Sequence, residues 1–461
     1  MSQPPVAPRV ARFVMDRLGY GPRPESIEEV LDRGPERWIK DQLEPSTDGG
    51  LETRLRAFPT LSYSIAETLT RYNADQRSLA LTLQDFRSAH FVRAVHSRNQ
   101  LQEVLTDFWF NHFNVFENKN PTNYGVVQYE MEVIRPHVLG RFKDLLTAVA
   151  NSWAMMSYLD NYLSSARSIN ENYGRELMEL HTLGVDGGYT QADVVQVARA
   201  FTGWGIDNRA GTFLYRGANH DQTAKTVLGQ TLPANQGKKD GDDVLEILAR
   251  HPSTARFIST KLCRRFVSDT PGESVIASGA DAFTRSEGDI AEVMRAIIGT
   301  PDFWNDAFGP GKVKTPHEYV VSALRAVGAE VTSARSFVEG GRSTLTAMGM
   351  PTYEALDPTG WSDRGSDWLP NPGSHLNRMN FALRLVSQTV EGVAVDLRAL
   401  IGDTDAADAA AVTAVVDRRI FGGTLNPDVA AACRAVTRTG SLLPGFKAVG
   451  MALASPAFQV R

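Results

Sequence analysis

Apolar side chains recur at helical spacing along most of this chain, and that spacing limits the fold more than any other feature. Between Leu101 and Phe108, and again between Ile290 and Ile297, apolar residues lie three, four and seven positions after the first. This period buries one face of an α-helix, whereas a strand alternates apolar and polar residues. One short run, Thr212–Tyr215, is typical of a strand. The sequence therefore predicts a mainly α, irregular multi-helix globular fold with long loops and at most short β-hairpins.

The composition allows one large core. Of the 461 residues, 42% are hydrophobic and 22% are charged, as in an ordinary soluble globular protein. Length alone favours several domains, because single cores seldom grow beyond about 250–300 residues. No stretch has the composition of a linker, so we predict one large helical domain over residues 1–461, in which residues 1–75 could form a helical N-terminal subdomain. Residues 205–243 are rich in Gly, Asn and Asp, which is typical of a lid loop.

Charge and cysteine content exclude several classes of function. The net charge is −5 with no basic block, so we predict no nucleic-acid partner. Two cysteines are too few for a disulfide framework, and the chain has no Cys-x-x-Cys-His motif, so we predict no c-type haem. The chain has no run of about 18 apolar residues, so we predict no membrane span. The first residues lack the apolar core of a signal peptide, which leaves open a protein that stays inside, a trimmed signal, or export with a partner.

The richest stretch of polar chemistry lies early in residues 170–204. If residues 171–183 form a helix, then Asn172, Glu176 and Glu179 lie on one face, at i, i+4 and i+7. Two carboxylates one turn apart repel unless a metal ion, a shared proton or an arginine lies between them. Arg175 is four residues from a glutamate on either side, so an intrahelical ion-pair ladder is the simplest explanation.

Three histidines stand out from the other six. His112 follows the apolar stripe of its helix, where a core histidine bonded to a backbone carbonyl is the simplest interpretation. His181 points away from the carboxylate face. His220 and Asp221 lie in the polar loop, where a surface histidine is the usual outcome. Of the remaining histidines, His251 directly precedes Pro252, which is typical of a helix start. The other five give no constellation: His90, His96, His137, His317 and His375.

Several motifs together resemble the bacterial family named domain of unknown function 1800. The resemblance runs from about Val10 to Leu385. It is carried by these segments: FWFNHF (108–113), YLDN (158–161), NENYGRELMELHTLGVDGGYTQADV (170–194), ARAFTGW (198–204), HD (220–221) and KLCRRFVSD (261–269).

The resemblance implies a mostly helical protein that is often exported and often encoded beside a sulfatase-like partner family, domain of unknown function 1501. It implies no activity. The recurring polar positions of the family match these residues of the chain: Trp109, His112, Asn172, Arg175, Glu176, Glu179, His181, His220 and Asp221. A helical protein has little packing reason to bury so many polar groups together, since each unpaired buried charge costs several kcal/mol.

The leading hypothesis is a metal-dependent enzyme, a hydrolase or an oxidoreductase, with its site between the His112 helix and the Glu176 helix. The metal would be zinc or non-haem iron, and its ligands would come from His112, His181, His220 and Asp221. Glu176 or Glu179 would act as general base or further ligand, Asn172 lies on the same face, and Arg175 would hold an anionic substrate group.

Two alternatives stay open. In a metal-free glycoside hydrolase, Glu176 would pair with Glu179 or Asp160, and Trp109 and Trp204 would be sugar platforms. In a non-catalytic assembly or carrier protein for an exported partner, the polar cluster would be a buried specificity network.

Overall fold

The computed structural model describes residues 6–305, 309, 311–338, 343–368, 372–437 and 441–461. Within them the chain is 61% helical, and strands account for 6% in short hairpins. The predicted mainly α fold is confirmed. The reason is the helical apolar period noted above, which leaves few segments that alternate.

The described residues of the first half of the chain contain twelve α-helices and two short π-helices. The α-helices are α1 (Val6–Leu18), α2 (Ser26–Arg33), α3 (Pro35–Leu43), α4 (Gly49–Leu55), α5 (Ile65–Ala74), α6 (Arg77–His96), α7 (Gln100–His112), α8 (Val126–Gln128), α9 (Phe142–Ala150), α10 (Trp153–Tyr158), α11 (Asn172–Glu176) and α12 (Gln191–Ala200). The π-helices are Tyr129–Ile134 and Leu177–Thr182.

The second half contains thirteen α-helices among its described residues. They are α13 (Lys239–Ala249), α14 (Pro252–Phe266), α15 (Glu273–Arg285), α16 (Ile290–Ile298), α17 (Pro301–Asn305), α18 (Pro316–Ala326), α19 (Arg335–Val338), α20 (Thr344–Ala347), α21 (Pro372–Val386), α22 (Leu397–Ile401), α23 (Ala409–Phe421), α24 (Pro427–Arg434) and α25 (Pro444–Ala454). Short 3-10 helices are Pro59–Ser62, Thr122–Tyr124, Arg135–His137, Asn161–Leu163, Gly217–Asn219, Gly365–Trp368 and Pro456–Phe458.

Among the described residues, six strands form three antiparallel pairs, of which the first two are hairpins and the third joins strands far apart in the sequence. The pairs are β1 (Trp204–Asp207) with β2 (Thr212–Tyr215), β3 (Lys225–Val227) with β4 (Gln230–Leu232), and β5 (Glu330–Val331) with β6 (Val393–Ala394). The predicted strand therefore forms as β2. The segment proposed as a lid, residues 205–243, contains most of β1, all of β2 to β4 and the start of α13, which together are just under half of its residues.

A single connected cluster of buried apolar residues runs from Ala11 to Phe458. The N-terminal helices take part in it, because α1 packs on α7 and α23, and α4 packs on α6. Among the described residues, no helix combines the length and apolar character needed to cross a membrane.

Three helices of the core, α6, α7 and α18, matter for the site. α6 packs against both α7 and α18. α18 begins sharply because Thr315 and Glu318 form a capping box and Pro316 occupies the first turn, where its missing N–H costs nothing. The second residue of that helix, His317, is thereby fixed at a helix start in the interior.

Candidate functional site

The predicted helix at residues 171–183 is present, but its second half is the π-helix. Arg175 lies 3.3 Å from Glu171 and 3.6 Å from Glu179, so the simple ion-pair ladder is formed. Glu176 is half-buried, and burial together with the neighbouring Glu179 raises its pKa. Asn172 is exposed at the helix start. This carboxylate face lies at the surface rather than in an enclosed pocket.

His112 and His181 do meet in the core. Nε2 of His112 lies 3.1 Å from the carbonyl oxygen of His181, and the ring centroids are 6.3 Å apart. Neither nitrogen of His181 has a hydrogen-bond partner in the described structure. Burial, and then the nearby Lys261 cation, lowers the pKa of His181 to about 3. His112 thus has the carbonyl contact expected of a core histidine, and both rings are held in their neutral form at physiological pH.

His220 and Asp221 have partners of their own. Nδ1 of His220 lies 2.7 Å from the carbonyl of Thr202, and Nε2 lies 3.0 Å from a carboxylate oxygen of Asp240. Asp221 accepts from Arg199 at 2.8 Å. Both ring nitrogens are therefore engaged, and the Asp221 carboxylate is neutralised locally. A metal at this pair would have to displace those contacts.

The two tryptophans predicted as sugar platforms are both completely buried. Trp109 packs between Phe113 and Phe142 and donates from Nε1 to the carbonyl of Val138 at 3.2 Å. Trp204 lies in the core at the start of β1. Neither ring presents a face on which a sugar could stack.

A different set of residues converges in the interior. His90 of α6, Asp107 of α7 and His317 of α18 each offer a ligand atom, and these atoms all lie within 4.8 Å of one another. Both imidazoles are buried, and in the described structure the Nε2 atom of each has no hydrogen-bond partner. The expectation that His90 and His317 belong to no constellation is therefore wrong, because helix packing brings them together across the chain.

Asp107 and His317 open onto a cavity of about 60 Å³. A water molecule needs about 10–15 Å³ of such volume, so this space has room for a few waters or a small polar group. Burial raises the pKa of Asp107 to about 6, against the opposing effect of His90. Burial also lowers the pKa of His317 well below its ordinary value. Burial thus disfavours the charged forms of Asp107 and His317, and a bound cation would stabilise the Asp107 carboxylate.

The other ring nitrogen of His90 is oriented by a buried carboxylate. Nδ1 lies 3.6 Å from Glu130, which stands on the first π-helix. Arg135 lies 3.1 Å from Glu130, and the Tyr353 hydroxyl donates to it. Although burial alone would raise the pKa of Glu130, the contacts with His90 and Arg135 lower it strongly. A carboxylate on one nitrogen of an imidazole leaves the other nitrogen available as a ligand.

A loop closes the cavity from one side. Trp361 lines it, and the Asn111 side chain exchanges two hydrogen bonds with the Trp361 backbone, at 2.9 and 2.7 Å. Asn114, two residues past the end of α7, donates to the carbonyls of Ala355 and Asp357 at 2.9 and 2.8 Å. These hydrogen bonds hold the loop, which forms one wall of the cavity, against the helix that carries Asp107. No residue of 205–243 lines this cavity in the described part of the chain.

One signal in the sequence could have revealed part of this site. Glu103, Asp107 and Asn111 lie at i, i+4 and i+8 on α7, a polar stripe on a helix that is buried on most of its surface. The apolar stripe that ends at His112 lies on another face of α7 and so does not indicate these polar residues. His90 and His317 had no such local signal, since only tertiary packing brings them near Asp107.

The comparisons agree with the sequence motifs. The family described as "Protein of unknown function (DUF1800)" matches residues 13–460. The chain therefore belongs to this family. No curated protein and no solved structure matches it.

Proposed function

We propose that this protein is a metal-dependent enzyme whose divalent metal is bound by His90, Asp107 and His317. The observation that carries the proposal is the meeting of three ligand atoms within 4.8 Å at a cavity, with Nε2 of both histidines unpartnered among the described residues. Each buried polar atom left without a partner costs about 1–3 kcal/mol. A metal ion would bind the two Nε2 atoms and so remove two such costs. Its charge would also neutralise the carboxylate of Asp107.

The donor set favours zinc or non-haem iron. Two imidazoles and one carboxylate are a common set for catalytic zinc, and the same set with open positions suits non-haem iron. Ligand atoms around one zinc ion lie about 3.3 Å apart, given bonds of about 2.0–2.1 Å in a tetrahedron. Modest side-chain rotations would suffice. The metal would supply Lewis-acid activation of water or, in the case of iron, redox chemistry.

The protein's own residues would orient and shield this centre. Glu130, held by Arg135 and Tyr353, would fix the ring of His90 so that Nε2 faces the ligand position. Among the described residues Asp107 forms no ion pair with a lysine or arginine, which suits a metal ligand. The loop that hydrogen bonds to Asn111 and Asn114 would restrict the cavity to small groups and a few waters. Hydrolysis is the first candidate reaction for zinc, and oxidation is the candidate for iron.

Elemental analysis of the full-length chain, purified and then reconstituted with Zn²⁺ or Fe²⁺ and desalted, tests the proposal. We expect roughly one metal per chain, lost in Asp107→Asn and in His317→Asn. The matched controls are His112→Asn and His181→Asn, which alter buried histidines of the first hypothesis and should keep the metal. Full metal in Asp107→Asn, or loss only in the His112 and His181 variants, would refute this assignment.

A second measurement separates coordination from folding. Glu130→Gln keeps the size of the side chain but weakens the orientation of His90, and loss of such an orienting contact typically costs 10–100-fold in metal affinity. The circular dichroism spectrum should stay that of the wild type. An unchanged affinity would mean that Glu130 has only a structural role.

A non-catalytic role as the assembly partner of an exported sulfatase-like protein is the second candidate. The observation that bears on it is an exposed apolar stripe on α21, in which Leu376, Met379 and Leu383 are 59%, 48% and 46% exposed. Apolar side chains grouped on one helix face suit contact with another protein. A metal-free chain that forms a stable complex with that partner, and loses it in Met379→Lys, would favour this candidate over the enzyme.

A further inference from the structure

Three cations line the same cavity as Asp107 and His317. They are Arg265, Lys312 and Arg461, whose exposed fractions are 6%, 5% and 6%. Buried cations at a cavity wall are costly unless anions neutralise them. Their partners therefore show how much positive charge is left over.

The two arginines share one carboxylate. Arg265 lies 2.7 Å from Glu318, and Arg461 lies 3.1 Å from the same oxygen. Burial alone would raise the pKa of Glu318, but these guanidinium groups lower it to about 2. One carboxylate thus faces two guanidinium groups, which leaves one positive charge uncompensated by this trio. Lys312 does not relieve the excess, since it is itself a cation, held by Asp269 and the carbonyl of Asp363.

Donors at the cavity are also left unused. Nε of Arg461 is buried and makes no hydrogen bond in the described structure, whereas Nη1 of Arg265 is already engaged by Glu318. The hydroxyl of Thr352, which lines the same cavity, is likewise buried without a partner among the described residues. Guanidinium donors match the oxygens of carboxylate, sulfate and phosphate, often in pairs. The same small space thus combines two guanidinium groups that share one carboxylate with two unused donors, and Asp107 is a further acidic side chain on its wall.

We propose that this cavity is a binding site for a small oxyanion group, a carboxylate, sulfate or phosphate, which Arg265, Arg461 and Thr352 recognise. The inference deepens the proposed function, because the group would belong to the substrate and would lie beside the metal. Its own evidence is the pair of arginines on one carboxylate and the two unused donors, so it does not require the metal. At about 60 Å³ the cavity admits such a group but not a large molecule, whose remainder would extend past Trp361.

Calorimetric titration of the full-length chain tests the inference, with acetate, sulfate and inorganic phosphate as probes and chloride as the background anion. Each is titrated with and without bound Zn²⁺. We expect one of the three to bind in the millimolar range or tighter, and binding to tighten when Zn²⁺ is present. The arm that binds best identifies the group.

Two variants assign the binding to this cavity. Arg265→Lys keeps the positive charge but removes the paired N–H donors of the guanidinium group. We expect the affinity for the oxyanion to fall at least tenfold while the metal content is unchanged. Thr352→Val removes the unpartnered hydroxyl and should lower affinity a few-fold with no loss of stability. Arg325→Lys is the matched control, because Arg325 is equally buried but donates to the carbonyls of Gly21 and Val95.

The results separate this inference from the metal proposal. Absence of binding by all three anions, or equal affinity in wild type, Arg265→Lys and Thr352→Val, would overturn the oxyanion site even if the metal is present. Should Arg265→Lys fail to fold, Thr352→Val decides alone. Anion binding that depends on Thr352 in a chain that takes up no metal would support this inference while refuting the metal centre.

Discussion

Gly360 holds the cavity wall against α7, and its replacement by alanine tests that closure. Its φ is +70°, and an added Cβ would lie 2.4 Å from the carbonyl oxygen of Asn111 and 2.5 Å from its Oδ1. The left-handed backbone costs a residue with a Cβ about 1–2 kcal/mol. The clash would also break the two hydrogen bonds between Asn111 and Trp361, each worth about 0.5–1.5 kcal/mol. We expect Gly360→Ala to lose about 2–5 kcal/mol of unfolding free energy.

Urea denaturation followed by tryptophan fluorescence measures that loss, and Gly423→Ala is the matched control. Gly423 has a φ of +79°, but no atom lies within 4 Å of its added Cβ. It should therefore lose only the backbone contribution, about 1–2 kcal/mol. If the two variants lose the same stability, the close approach to Asn111 does not hold the loop, and the reasoning about the cavity wall is wrong. Metal and oxyanion affinity should also fall in Gly360→Ala and stay unchanged in Gly423→Ala.

Three further predictions concern buried charge and ligand binding. Burial lowers the pKa of Lys314 from 10.5 to about 7, so the unfolded chain keeps this proton at pH values where the folded chain has lost it. The free energy of unfolding should thus rise between pH 7 and 10.5. Lys314→Met should remove that rise and should stabilise the chain at pH 7 by at most about 5 kcal/mol. Thermal unfolding measured across this pH range would show both effects. Asp240→Asn should cost about 3–5 kcal/mol in urea denaturation, because it leaves Lys225, at 2.6 Å, and His220, at 3.0 Å, without their shared carboxylate; a loss below 1 kcal/mol would contradict this. Zn²⁺ at about 100 times its dissociation constant should add about 2.7 kcal/mol to the wild type and nothing to Asp107→Asn, as calorimetry would measure.

Local pattern predicted the helices well, because a helix is encoded by neighbours on one turn. The apolar spacing noted between Leu101 and Phe108, and between Ile290 and Ile297, lies in α7 and α16. The ladder around Arg175 was equally local and is formed. The extra residue of the π-helix at Leu177–Thr182 was not foreseen, because it changes the hydrogen-bond register without disturbing the apolar spacing.

The site was harder to predict because its residues come from separate helices. His112 and His181, which the sequence did bring together, meet in the core through a carbonyl contact. His220 was expected to join them, yet it is bound to Thr202 and Asp240. A polar residue in a motif can serve packing as well as chemistry, and the sequence does not distinguish a satisfied imidazole from an unsatisfied one.

That distinction is what singles out the cavity beside Asp107. Several buried charges of the described core have ionic partners: Arg135 bridges Glu103 and Glu130 at 2.8 and 3.1 Å, and Asp240 serves both Lys225 and His220. Unpaired buried groups also occur elsewhere, as at both nitrogens of His181, but packing gives no reason for two imidazole nitrogens, an arginine Nε and a hydroxyl to gather unpaired beside one carboxylate and its cavity. Because such groups cost stability in the free protein, their concentration at one place is best explained by a ligand that supplies the missing partners. A metal ion would complete the histidine side of the cavity, and an oxyanion would complete the arginine side.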